Sequence, residues 1–206
     1  MPAVGASLAF ALALILVMPA PRAQGRVAEL TTQLTAEDAA VRARAACELR
    51  EFGGAATPAL DALVALLADG APLAQPVCGR NWWRGNHASL TSPGEQAAAT
   101  LVAIGTPAFK PLMDSLRSPS WIARRHAAWA LGALEDHRAV DPLMDLLEDR
   151  EAGVREQVCW ALGALGDERA LHRLLPSLKD PDARVRRQAA WAIGVLHNSA
   201  RRSESR

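Results

Sequence analysis

The chain has no tyrosine and only three phenylalanines, so its six tryptophans supply most of its aromatic surface. Few stretches alternate apolar with polar in the period of two that a half-buried strand needs, which argues against a β-sandwich or barrel. An excess of one charge is also missing. With 23 basic against 22 acidic residues, nothing is left over to neutralise phosphates, and nucleic acid is excluded as the expected partner. The usual carriers of chemistry are absent as well: no Gly-rich phosphate loop, no Gly-x-Ser-x-Gly elbow and no Cys-x-x-Cys pair occurs. His126 and His137 fall on different helices with no matching ligand series, so neither a metal nor another cofactor is expected.

No apolar run is long enough to span a bilayer. The longest, Leu8 to Met18, has eleven residues, the length of a secretory signal core. Ala23-Gln24-Gly25 then offers small residues where a signal peptidase reads. Residues 1–25 are therefore read as a secretory signal peptide or an uncleaved N-terminal anchor, and the protein as exported, periplasmic or extracellular. Loss of residues 1–23 removes Arg22 and no acid, leaving 22 basic against 22 acidic residues. Beyond that segment no membrane association is expected.

What is present is a repeat. Ala127-Ala128-Trp129-Ala130-Leu131-Gly132, Val158-Cys159-Trp160-Ala161-Leu162-Gly163 and Ala189-Ala190-Trp191-Ala192-Ile193-Gly194 superimpose at a spacing of 31. Such a period denotes stacked units, none of which buries its apolar face alone. Weaker copies, including Ala97-Ala98 and Ala45-Ala46, extend the array toward the N-terminus. The pattern predicts an all-α superhelix, a solenoid of about five helix pairs over 26–198: 26–34 with 38–52, 57–68 with 93–104, 106–117 with 120–134, 137–148 with 151–165, and 168–179 with 182–197. First helices carry stripes such as Leu60, Leu63, Val64, Leu67 and Leu171, Leu174, Leu175, Leu178 at the spacing of one buried face. Asp149 and Asp180 precede second helices as capping-type residues, Pro58 and Pro107 sit in first turns, and Gly105 and Gly166 follow helix ends. Residues 199–206, with Arg201 and Arg202, are read as a disordered tail.

The stretches 180–194 and 161–170 resemble the short HEAT-like repeats of the phycobilisome-lyase type, over 106–197 and more weakly over 26–104. The resemblance implies that the helix bearing the Val-Arg motif lines a concave side, and that the Asp six residues before its Arg joins a polar ladder between neighbours. Here that ladder pairs Asp149 with Arg155 and Asp180 with Arg186, while Ser118 stands in place of the Asp before Arg124. The His-Glu dipeptides by which deoxyhypusine hydroxylases of similar architecture hold a di-iron centre are absent: the five histidines precede Ala88, Ala127, Arg138, Arg173 and Asn198.

On a helical wheel Val154, Val158, Ala161, Leu162 and Leu165 share one arc, the packed face, and Trp160 stands beside it in a stripe with Gln157. The stripe recurs as His126 with Trp129 and as Gln188 with Trp191. Neighbouring units would present these indoles about 10 Å apart, either as an exposed binding row or as the seal between successive second helices. Between the helices of the second unit lies an insertion, 70–92, holding Cys78 and the Trp82-Trp83 pair in a loop long enough to signal function. Cys47 occupies the position of the later tryptophans, and in an exported protein a Cys47–Cys78 disulfide would pin the insertion over the groove. Cys159 reads as a small buried hydrophobe. The expected function is a non-enzymatic scaffold or adaptor binding another protein or a peptide through Trp129, Trp160, Trp191, His126, Gln157, Gln188, Trp82 and Trp83. The alternative that the resemblance allows is a bilin-lyase-like or hydroxylase-like repeat enzyme, or a chaperone for cofactor attachment.

Overall fold

The computed structural model describes residues 20–75, 77 and 92–204. The signal core at 8–18, Cys78, Trp82 and Trp83 lie outside the described residues. All regular structure among the described residues is helical, and the chain divides into two compact units, Met1–Leu66 with Gly70–Gly105, and Leu67–Asp69 with Thr106–Arg206.

In the first unit α1 (Ala20–Gln33) packs on α2 (Ala39–Arg50), and α2 packs along α4 (Pro93–Ile104). A 3-10 segment, Gly53–Ala59, leads into α3 (Leu60–Leu66), which also rests on α4. Asp38 caps α2 by accepting from the Ala40 amide. Ser92 and Glu95 form a reciprocal capping box at α4, satisfying two amides that would otherwise lack partners. Apart from Val102 and Ala103, α4 is buried all the way round, as its run of small and apolar residues permits.

The second unit is an α–α solenoid of three helix pairs. Its first helices are α5 (Phe109–Ser115), α7 (Val140–Asp145) and α9 (Ala170–Leu174), and its second helices are α6 (Trp121–Ala133), α8 (Ala152–Leu165) and α10 (Ala183–Glu204). Second helices stack directly, α6 on α8 and α8 on α10. The arc Val154, Val158, Ala161, Leu162 and Leu165 is buried as expected, and each fully buried Val or Leu contributes roughly 1.5–3 kcal/mol. Gly105 (φ 83) and Gly166 (φ 70) end α4 and α8 in the left-handed region, which glycine reaches without a Cβ clash.

Three expectations need correcting. The first helices are short α segments extended by 3-10 turns, at Thr106–Ala108, His137–Ala139, Leu146–Glu148 and Leu175–Lys179. Proline removes an amide and crowds the preceding turn, and Pro107 and Pro176 stand in two of these turns. In the last one the tighter period points Ser177 inward, while Leu175 and Leu178, expected in the buried stripe, are exposed at 46% and 40%. Finally, 199–204 is helical, not a disordered tail: α10 runs to Glu204. No Gly or Pro follows Gly194 to stop it.

Candidate functional site

The candidate surface is the stripe of second-helix residues in the second unit, and its geometry follows from the Trp-Ala-Leu-Gly motif. A Cβ on Gly132 would lie 2.7 Å from Ala161 Cα and 3.1 Å from Trp160 Cζ3; one on Gly163 would lie 3.0 Å from Ala192 Cα and 2.6 Å from Trp191 Cζ3. Each glycine therefore accommodates the next unit's Trp-Ala pair, and the backbones approach closely because it has no side chain. The indoles lean toward one another as a result. Trp129 and Trp160 stack with centroids 6.3 Å apart and planes at 20°, closer than the 10 Å or so expected from helix spacing.

Exposure rises along the row. Trp129 is buried at 6%, Trp160 is half-buried and Trp191 is 44% exposed. Trp129 thus belongs to the seam between helices, whereas Trp160 and Trp191 each offer part of an indole to solvent. The accompanying polar residues follow the same gradient: His126 is buried, and Gln157 and Gln188 are half-buried. His126 Nδ1 lies 2.8 Å from the Leu67 carbonyl, which only accepts, so that nitrogen carries the proton. His126 is held in place by this bond. The members of the row that offer surface are Gln157, Trp160, Gln188 and Trp191.

The ladder exists with a different pairing. Arg124 Nε and Nη2 donate to Asp149 Oδ2 and Oδ1 at 2.7 and 2.9 Å, and Arg155 makes the same fork with Asp180 at 2.7 and 2.9 Å. Each arginine therefore reaches the carboxylate of the following unit, 25 residues on. The expected Asp149–Arg155 and Asp180–Arg186 contacts exist only through backbone: Arg155 Nη1 donates to the Asp149 carbonyl at 2.7 Å, and Arg186 Nη1 to that of Asp180 at 2.6 Å. Ser118 does not break its rung, because Arg124 Nη1 uses the Ser118 carbonyl, at 2.9 Å. A carbonyl needs no acidic side chain. The Asp carboxylates also accept the Glu151 and Asp182 amides, which fixes them at the turn. Burial pushes the Asp149 carboxyl up, but the Arg124 fork outweighs it and the net shift is downward. The Arg155 fork likewise holds Asp180 below the ordinary range.

Two features were missed in the sequence. Gln96 in α4 holds the place in its repeat that His126, Gln157 and Gln188 hold in theirs, a spacing of 30 that identifies it. It is fully buried with neither amide atom hydrogen-bonded, while its carbonyl accepts from Thr100 Oγ1, which also donates to the Ala46 carbonyl. The second is Asp136-x-Arg138 and Asp167-x-Arg169, again 31 apart, each closing an exposed local fork; Arg169 also reaches Asp141, at 3.2 Å.

Of the cysteines, Cys47 is disulfide-bonded; the expected partner Cys78 lies outside the described residues. Cys159 is free and buried, and burial pushes its thiol up to about 12. Among the described residues, no three His, Cys, Asp or Glu side chains converge as a metal site needs, and no helix is long and apolar enough to cross a membrane.

Residues 109–194 match the HEAT-repeat family. The CpcE–CpcF complex of phycocyanin lyase from Nostoc sp. PCC7120 is similar at 26% identity and a TM-score of 0.57, over 82% of this chain and 64% of that one. Yeast Kap95p, in the structure describing its binding to RanGDP, superimposes with a TM-score of 0.64 at 14% identity, over 89% of this chain and 27% of that one. An engineered protein gives 0.51 at 19%, covering 91% and 88%. The latter two establish the fold alone. The chain spans 64% of the lyase chain it matches and about a quarter of Kap95p. A sequence search of curated proteins finds no match. Over residues 109–194 the repeats match HEAT repeats, and they are similar to those of the phycocyanin lyase structure.

Proposed function

From the HEAT repeats of residues 109–194, we propose that the protein is a non-enzymatic scaffold, exported to the periplasm or the extracellular space, that binds another protein or a peptide through the second-helix face of its array. In the repeats it resembles, that face is concave. The observation that carries the reading is the stripe itself: on α8 and α10 a glutamine and an indole recur together, half-buried to exposed, on a backbone fixed by the Gly contacts and the Arg–Asp forks. Partly exposed indoles on a rigid frame give large contact area for little lost entropy, and the amides supply hydrogen bonds that a peptide backbone can use. The insertion bearing Trp82 and Trp83, tethered by a Cys47–Cys78 disulfide, would add to that surface.

Capture from the native envelope fraction tests this. Intact protein retains a discrete polypeptide, and a Gln157→Glu, Gln188→Glu variant with unchanged circular dichroism and melting temperature loses it. Equal retention by both, or none by either, contradicts the reading. These two positions are preferred to the tryptophans because Trp129 and Trp160 stack on each other and their loss would unfold the seam.

One observation favours a second reading, a subunit of a bilin-lyase-like enzyme: the 26% identity to the phycocyanin lyase complex. The free cysteine speaks against it, since a buried thiol pushed up to about 12 holds almost no thiolate at neutral pH. A covalent bilin adduct on native Cys159 would decide for it.

A further inference from the structure

In the first unit, Gln96 of α4 is fully buried with neither amide atom hydrogen-bonded, whereas its counterparts Gln157 and Gln188 are half-buried and reach solvent. Burying an amide without partners costs the desolvation of a donor and an acceptor, a cost that vanishes in any state where water reaches it. The shut arrangement around Gln96 is therefore penalised relative to one that uncovers it.

Thr100, one turn further along α4, identifies the cover. Residues four apart share a helix face, and Thr100 Oγ1 lies 2.6 Å from the Ala46 carbonyl of α2 and 2.9 Å from the Gln96 carbonyl of its own helix. Gln96 and Thr100 thus share the face that α2 packs against. The hydroxyl has one proton for these two acceptors, so when α2 leaves it keeps the bond to Gln96 and loses nothing. Apolar burial must then hold α2 down, and it is modest. The buried residues of α2 are Ala43, Ala45, Ala46 and Leu49, whereas those of α8 include Val154, Val158, Leu162 and Leu165; alanine removes much less apolar surface from water. The exit from α2 is also free to turn. Gly53 sits in the left-handed region at φ 50, and a Cβ on Gly54 would meet nothing within 4 Å, so two adjacent glycines can absorb a backbone rotation.

We infer that α2 is a hinged cover, opening on Gly53-Gly54 in the native protein and bringing to solvent the Gln96 amide, the first unit's counterpart of Gln157 and Gln188. This step belongs to the first unit and does not rest on the reading of the α8–α10 stripe.

Native-state hydrogen exchange of the full-length protein, with the disulfide of Cys47 intact, measures the opening. A helix of 12 residues is marginal by itself in water, so the amides of α2 exchange when it leaves α4. Gln96→Leu and Gln96→Met place an apolar side chain of similar size in the shut seam. Both are expected to slow exchange across α2 by about ten-fold or more, with exchange in α8 unchanged. Gly54→Ala is expected to slow it roughly two- to five-fold by stiffening the open chain. Unchanged or faster α2 exchange in both Gln96 variants overturns the proposal, because the amide is then no burden on the shut seam. Equal slowing in α2 and α8 also overturns it, since the change is then in global stability and not in a local opening. An unaltered α2 rate in Gly54→Ala overturns the hinge.

Discussion

Glycine at the end of each Trp-Ala-Leu-Gly motif is a packing residue in two units and an open position in the third, and this difference is measurable. Gly163→Ala would force a methyl to 2.6 Å from Trp191 and 3.0 Å from Ala192, an overpacking that costs about 1–3 kcal/mol. Gly194→Ala meets nothing and gains roughly 0.5–1 kcal/mol from helix propensity. Chemical denaturation of the two variants is expected to move the midpoint in opposite directions; equal shifts would contradict the packing described. Cys159 makes a second residue-scale prediction. Its buried thiol, pushed up to about 12, resists maleimide in the native protein at pH 8 and reacts once the chain is unfolded without reductant. Because Cys47 is disulfide-bonded, mass spectrometry of that unfolded, unreduced chain is expected to show one label, rising to three after reduction. The apolar context of Cys159 sufficed to read it as buried, which it is; the role of Gly132 and Gly163 was not legible, because a helical glycine is explained only by the neighbour it admits.

The ladder shows what an element-level reading captures and what it misses. A recurring Asp-x5-Arg spacing pointed to the right residues, but a spacing of six within one unit cannot say which partner each group faces. The turn directs the Asp carboxylate back toward the preceding unit, so the fork forms across 25 residues and the nearer Arg meets only a carbonyl. The helix pairs of the array were legible, because Ala- and Leu-rich periodicity is strong; the helical extension over 199–204 was not. The 3-10 extensions were not, since prolines in first turns are compatible with either helix. For energetics, Asp149 and Asp180 are both held below the ordinary carboxylate range in the folded state. Their contribution is therefore complete above the unfolded value of about 4 and is lost as pH falls below it through their folded values. Removing one partner of so enclosed a fork, as in Arg124→Ala, is expected to cost about 3 kcal/mol. Asp180→Asn should flatten the loss of stability below about pH 4; an acid profile identical to that of the intact protein would show that the forks do not carry it.

At the scale of the molecule, repetition made the fold readable before any coordinate. Three motifs at one interval imply that every unit has the same packed face and the same residual stripe. Repetition does not imply equal exposure, however, since each unit is covered only by its neighbours. Among the described residues Trp129 is therefore buried in the seam while Trp191 stands half open. The central claim is that the α8–α10 stripe recognises a protein or peptide. It is tested most directly by placing the photo-crosslinking residue benzoylphenylalanine at Gln188, and in parallel at Asp145, which is exposed on α7, then irradiating each full-length protein in its native extract. The account predicts a discrete covalent adduct from position 188 and none from 145; the same adducts from both positions, or none from 188, would contradict it.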